Sequence, residues 1–336
     1  MSEHVLVTGG DGFLGTNIVY ELLDRGYSVC ALTEPGREPA TLRSMQVETV
    51  SGDIRNPDAV ADAASGCDYI IHTAASTSIW PPRSNMLEEI NIRGTENVIR
   101  AALEAKVKRL VHVGSANSFG FGTRESPGDE SRPYACRKYR LGYMDTKYEA
   151  HLRVLRAVES DGVPAIIVAP TFMLGPYDSK PGSGRMILAV AEGKVPGYTS
   201  GGRCYIYVKD VATAAVNALE RGRLGESYIL GNENLTYREC FEMIAKVAGV
   251  KPPRVKIPAP LSIGVGLLGS LAGRLTGKEP KISLAMARIS SDFHFYSAGK
   301  AVRELGLPQT PVEKAVREAY AWFLEHGYLE QPEKDT

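Results

Sequence analysis

The chain has 336 residues, is 43% hydrophobic and 23% charged, and carries 39 Lys plus Arg against 39 Asp plus Glu. This composition excludes a disordered or collagen-like chain. The balanced charge also argues against a dedicated nucleic-acid binder, whose affinity needs a basic face.

In chain order, the first 170 residues alternate between short apolar runs and helical patterns. Strands are expected at 5–7, 29–32, 47–50, 69–71, 110–113 and 165–168, several of them near-continuous in Val, Ile and Leu. Such runs suit strands buried on both faces. Helical periodicity lies between them at 14–23, 57–64, 88–105 and 139–158. The pattern predicts a doubly wound, parallel α/β sheet of Rossmann type with right-handed crossovers. After Pro170 the character changes. Turn residues cluster at 175–184, and a helix is expected at 185–192. A strand at 204–208 leads into a helix with Asp210 as its N-cap. A short strand at 228–230, a helix at 239–248, an irregular Pro-rich segment at 251–260 and a final amphipathic helix at 311–326 follow. We therefore expect a dinucleotide-binding domain over 1–170. Residues 171–330 form a smaller substrate lobe, some of whose segments return to the main sheet.

The five cysteines (Cys30, Cys67, Cys136, Cys204 and Cys240) form no Cys-x-x-Cys pair and stand at no zinc spacing from a His. They read as reduced thiols in a cytoplasmic protein with no metal site. No signal peptide is expected, because glycines interrupt the first apolar run at once. The uncharged stretch 257–273 is too short, and too rich in Gly and Pro, to span a membrane. Within it, Leu261, Val265, Leu268, Ala272 and Leu275 follow helical spacing. That stripe reads as core packing, with a greasy lip for an apolar substrate or a membrane-touching surface as the functional alternatives.

Two constellations carry chemistry. The first is Thr8-Gly9-Gly10-Asp11-Gly12-Phe13-Leu14-Gly15, between the first strand and the first helix. Gly9 allows the tight turn, Gly12 lets backbone approach a pyrophosphate, and Gly15 lets the helix pack on the strand. The helix N-terminus, with Phe13 and Leu14, then faces the phosphates. At the end of the second strand, Glu34 suits an adenosine ribose, whereas Arg37 and Arg43 suit a 2′-phosphate. The cofactor is read as NAD or NADP, leaning to NAD. The second constellation joins Ser115, at the end of the fifth strand, to Tyr143 and Lys147 at i, i+4 on a helix. An ammonium lowers a phenol pKa for proton transfer, and a hydroxyl orients the reacting oxygen. Tyr134 and Lys138 share the spacing but precede the helical periodicity.

With these motifs the chain resembles the extended short-chain dehydrogenases/reductases. That group includes sugar-nucleotide epimerases and dehydratases, dihydroflavonol reductases and 3β-hydroxysteroid dehydrogenases. The resemblance implies that Ser115, Tyr143 and Lys147 are the catalytic triad. It implies that Asp53 and Ile54 contact adenine, and that Thr73, Ala74 and Ala75 line the cofactor. Asn91 becomes the family's helix Asn, or reads as a residue that fixes a distortion of the helix backbone, and Pro170 begins the loop beside the nicotinamide. Asp53 also reads as a plain turn residue, His72 as a packed strand residue without chemistry, and Asp210 as a helix cap. Trp80 and Arg203 are substrate candidates. Arg203 matches a position that contacts phosphate in sugar-nucleotide epimerases. The function expected is an NAD(P)-dependent oxidoreductase acting on a carbonyl or secondary alcohol of a small, fairly apolar substrate. The alternative is a nucleotide-sugar epimerase or dehydratase using the same triad. A non-catalytic dinucleotide binder is the third reading. The resemblance further implies a homodimer through helices 88–105 and 139–158, with no nucleic-acid partner and no transmembrane segment.

Overall fold

The structure, a computed structural model, describes residues 2–36 and 38–330. The first half runs β1 (His4–Thr8), α1 (Phe13–Asp24), β2 (Ser28–Thr33), β3 (Glu48–Ser51), α2 (Pro57–Ala64), β4 (Tyr69–His72), α3 (Asn85–Glu88), α4 (Gly94–Glu104), β5 (Arg109–Val113), α5 (Gly142–Asp161) and β6 (Ala165–Pro170). The second half holds β7 (Phe172–Leu174), α6 (Arg185–Ala191), β8 (Gly202–Tyr207), α7 (Val208–Asn217), β9 (Ser227–Leu230), β10 (Glu233–Thr236), α8 (Tyr237–Ala248), α9 (Ala259–Thr276), α10 (Leu284–Ile289), β11 (Phe293–His294), α11 (Gly299–Leu305) and α12 (Val312–Glu325).

Seven strands form one sheet in the order β3-β2-β1-β4-β5-β6-β9, every neighbouring pair parallel. Alternate side chains feed two layers. Val5, Val7, Ile71 and Val111 pack with Ile18 and Leu22 of α1 and Val211 of α7. Leu6, Ile70, Leu110 and Ile167 pack with Val60, Val98 and Val154 of α2, α4 and α5. Burial on both sides explains the continuous apolar runs. The strand order reverses between β1 and β4, so their carboxyl ends flank the crevice where such sheets bind ligands. A smaller sheet sits beside it, with β8 between β10 and β11 and with β7 also paired to β8. Residues 227–230 thus return to the main sheet as its edge strand β9.

Four local expectations are corrected. The helix expected over 88–105 is interrupted by a π-helical turn, Glu89–Arg93. Asn91 sits in that turn and spends its amide on the Ser76 backbone, accepting from its N–H at 2.8 Å and donating to its carbonyl at 3.0 Å. An extra residue in a helical turn is the usual way to aim such a side chain inward. The helix expected from 139 starts at Gly142, because Arg140 is left-handed (φ 54°) after a short 3₁₀ turn, Cys136–Tyr139. Asp210 does not cap α7, which begins at Val208. Its buried carboxylate instead accepts from the Thr310 N–H and hydroxyl, both at 2.8 Å, tying two distant segments. Finally, the leucine stripe of α9 is not core: Leu268 is 68% exposed and Leu275 88%.

Candidate active site

The glycine turn is built by close approach. Gly9 has φ +69°, and a Cβ there would lie 2.9 Å from Ala74 Cα. A Cβ on Gly15 would lie 2.1 Å from the Gly9 carbonyl oxygen. Gly12 caps α1 without any side-chain hydrogen bond, and no acid occupies the first turn. The first-turn N–H groups, at Phe13 and Leu14, have no intrahelical acceptor and face the crevice with the positive end of the helix dipole. Beside them, the Thr73 hydroxyl donates to the Thr8 carbonyl at 2.7 Å, and the Ala74 N–H donates to the Thr8 hydroxyl at 3.3 Å. Thr73 and Ala74 therefore form a floor against the turn, and Ala75 follows them in the chain. A cradle that any side chain would fill, with unpaired donors on one wall, fits a dinucleotide pyrophosphate.

The second group converges on the ends of β5 and α5. Ser115 is buried just past β5, where its hydroxyl accepts from the Asn117 N–H at 3.2 Å. Tyr143 and Lys147 leave α5 on the same face. Burial raises the Tyr143 phenol pKa, while the neighbouring Ser115 hydroxyl and the positive charge of Arg203 pull it back down. The Lys147 ammonium is buried and donates to the Val113 carbonyl at 2.7 Å, two residues before Ser115. Desolvation lowers its pKa to about 8. Pro170 ends the neighbouring strand β6. Ser115 and the Lys147 ammonium thus both lie at the carboxyl end of β5, with Tyr143 one helical turn before Lys147 on α5. The rival pair is separated: Tyr134 donates to Asp145 at 2.6 Å, whereas Lys138 pairs with Asp292 at 2.8 Å.

Beneath Lys147 lies a layer of histidines that the sequence reading left without a role or did not single out. His72 and His112 pair across β4 and β5, ring centroids 5.2 Å apart. His72 bonds to Thr8 Oγ1 through Nδ1 (2.7 Å) and to Thr95 Oγ1 through Nε2 (3.1 Å). Both ring nitrogens of His112 lack a partner, and so does Nδ1 of His151 on α5. Burial, with help from the Lys147 charge, pushes His72 down to about 3 and His151 to about 4, and holds His112 well below 6.5. All three are neutral at ordinary pH, which leaves Lys147 as the one cation of the layer. The i, i+4 spacing of Lys147 and His151 was the available signal for this grouping. Asn91 joins it from outside by donating to Thr146 Oγ1 at 3.0 Å.

The remaining candidates spread around the crevice. Glu34 is exposed, one residue past β2. Arg37 lies outside the described residues, and Arg43 pairs with Glu38. Asp53 is held by Arg55 through a 2.6 Å ion pair, which keeps its carboxyl below the usual range. Ile54 is buried against Gly94, and its carbonyl accepts from Asn97 at 3.0 Å. Trp80 lies against α9 near Gly273 rather than alone in a loop. Arg203, on β8, rests its guanidinium 5.0 Å from the Phe172 ring centroid and donates from Nε to the Tyr237 hydroxyl at 2.9 Å. Among the described residues it joins no ion pair. The sequence reading missed Phe172, on β7 beside β8, and Tyr237, at the start of α8, which only the tertiary fold brings to Arg203.

Comparison with known proteins identifies the family and the fold. The sequence profile of the NAD dependent epimerase/dehydratase family matches residues 5–231. A Synechocystis protein carrying the name dihydroflavonol 4-reductase is 32% identical, covering 98% of this chain and 97% of its own. Sterol demethylase protein B of Methylococcus capsulatus is 31% identical, covering 96% and 99%. The crystal structure of gox2253 superposes with a TM-score of 0.86 at 36% identity, covering 98% of this chain and 100% of that one.

Proposed function

Because the chain belongs to the NAD-dependent epimerase/dehydratase family, we propose that it is an NAD(P)-dependent oxidoreductase acting on a carbonyl or secondary alcohol of a fairly apolar substrate. The observation that carries this reading is the Ser115 hydroxyl beside the Tyr143 phenol just past β5, with the Lys147 ammonium, one helical turn further on, donating to the Val113 carbonyl two residues before Ser115. A nicotinamide held beside this edge supplies or takes up the hydride. Gly9, Gly12 and Gly15, with the N-terminus of α1, hold the pyrophosphate. Glu34, at the end of β2, favours NAD at the adenosine ribose. Ser115 orients the substrate oxygen. Tyr143 gives that oxygen its proton in reduction and removes it in oxidation. Lys147, kept cationic below about pH 8, stabilises the phenolate.

What surrounds Tyr143 supports an apolar substrate. Its ring packs on a cluster of Cys136, Tyr139, Leu141, Met144, Ala285 and Ile289. The names of the two curated relatives, a flavonol-type reductase and a sterol-processing protein, point the same way. The reading includes a homodimer through α4 and α5, which sedimentation equilibrium checks. The functional test is consumption of NADH or NADPH with a panel of hydrophobic ketones. Tyr143→Phe should lower turnover by at least ~100-fold, and near-wild-type turnover would overturn the assignment. The ratio of kcat/KM for NADH and NADPH decides the cofactor.

One observation favours a second reading. A half-buried guanidinium without an acidic partner, as at Arg203, is costly unless an anion meets it. Nucleotide-sugar epimerases and dehydratases bring such an anion as their diphosphate. Protein that retains NAD through gel filtration and interconverts nucleotide sugars without net NADH consumption would establish this alternative.

A further inference from the structure

The outward face of α9 reverses the usual pattern of a helix on a soluble protein. Small residues point inward. A Cβ on Gly266 would lie 2.8 Å from the Ser283 carbonyl oxygen, one on Gly269 2.4 Å from the Ile282 carbonyl oxygen, and one on Gly273 2.7 Å from the Trp80 ring. The large aliphatic residues point outward: Leu261 is 60% exposed, Val265 and Leu267 47%, Leu268 68%, Leu271 48% and Leu275 88%. A contiguous apolar face of this kind marks an interaction surface. No core argument accounts for it, since the close packing on α10 and on Trp80 is made by the glycines.

Charge indicates what covers it. Residues 251–291 contain seven Lys and Arg and a single acid, Glu279, in a chain that has 39 of each sign. At the carboxyl end of α9, Arg83, Arg140 and Arg274 line a concavity of about 460 Å³ with Pro82. All three are exposed, and among the described residues none joins an ion pair. Lys278 and Lys281, in the segment that follows α9, are also exposed. An apolar helix edged by unpaired cations is complementary to a leaflet that presents acyl chains below and phosphates above. A second copy of the chain is a poor match, because a two-fold contact through this face sets its cations against themselves. No helix among the described residues is long and apolar enough to cross a membrane, so the geometry is that of a helix lying in the interface.

We propose that α9 and the Arg83, Arg140 and Arg274 concavity form a peripheral docking face for bilayers rich in anionic phospholipid. The aliphatic side chains enter the acyl boundary and the guanidiniums take the lipid phosphates. The face also sits next to the proposed reaction site: Trp80 touches α9, and the Pro82 carbonyl accepts from the Gly142 N–H at 2.6 Å, one residue before Tyr143. The docking claim does not depend on the redox reading.

The test is flotation of the whole chain with two kinds of vesicle, phosphatidylcholine alone and an equal mixture with phosphatidylglycerol, at low and high salt. Binding is expected to the mixed vesicles, roughly tenfold weaker to the neutral ones, and reduced by salt. The double substitution Leu268→Glu with Leu275→Glu should abolish flotation while leaving thermal unfolding unchanged, since both side chains are solvent-facing. Arg83→Glu with Arg274→Glu should remove the preference for anionic lipid. The proposal fails if the wild-type chain floats with neither vesicle, or if it floats equally with both and the charge reversals change nothing. It also fails if no flotation occurs and Leu268→Glu dissociates a dimer in sedimentation equilibrium, which would make a second copy the occupant.

Discussion

Helices α5 and α9 are of similar length, 20 and 18 residues, and each breaks the inside–outside rule in the opposite sense. The first places an ammonium in the interior: Lys147 is 5% exposed, with His151 at 4% and Val154 at 0% one and two turns further on. The second places leucines in solvent and buries only Ser262, Gly266 and Gly273. Desolvating a cation is unfavourable, and leaving large aliphatic surface in water forgoes the main stabilising term of folding. Neither arrangement helps the fold, so each points to something outside the folded chain alone: chemistry at α5 and a lipid surface at α9.

The contrast can be broken most sharply at Lys147. Lys147→Met should cost at least ~100-fold in turnover, yet raise stability at neutral pH by about 1–3 kcal/mol, because a buried cation is exchanged for an apolar side chain. The direction of the pH effect follows from the native pKa of about 8 against 10.5 for the free side chain. Between those values the unfolded chain holds a proton that the native chain has released. Wild-type stability therefore rises with pH through that window, and this contribution should be absent from the Met variant in urea titrations.

The next effect tests packing on the same helix. Val154→Ala, at a fully buried position of α5, should cost about 2 kcal/mol in chemical denaturation. The histidine layer comes third. His72 and His151 are neutral until about pH 3 and 4 in the native state, against 6.5 when free. Below pH 6.5 the unfolded chain binds protons that the native chain refuses, so stability falls as pH falls, by about 1.4 kcal/mol per pH unit for each ring. His151→Gln should flatten the acid limb of a stability–pH curve by one proton, and an unchanged slope would contradict the assignment. The smallest effect belongs to α9: Leu268→Ala should stay within about 0.5 kcal/mol of wild type in the same denaturation assay. A larger loss would mean that this face is packed in solution.

Much of this was legible in one dimension. Apolar runs separated by helical periodicity gave the parallel sheet, and the glycine spacing gave the phosphate cradle, because both patterns report local backbone needs. Ser115, Tyr143 and Lys147 could be singled out as candidates because a strand end and an i, i+4 pair are short-range relations. A helix distortion at Asn91 could be read from the sequence, but not its partner, the Ser76 backbone 15 residues earlier. Asp210 looked like a cap because nothing nearby in sequence announces Thr310, 100 residues away.

By itself, the sequence determined the α/β class and the glycine turn and singled out the side chains proposed to react, all of which rest on spacings within a few residues. Tertiary structure alone decided that Arg203 meets Phe172 and Tyr237, that three histidines gather under Lys147, and that the leucines of α9 face outward. Helical periodicity states only that residues share a face. Which face is buried depends on the partner that packs there, and for α9 close contact with α10 and Trp80 admits nothing larger than serine or glycine.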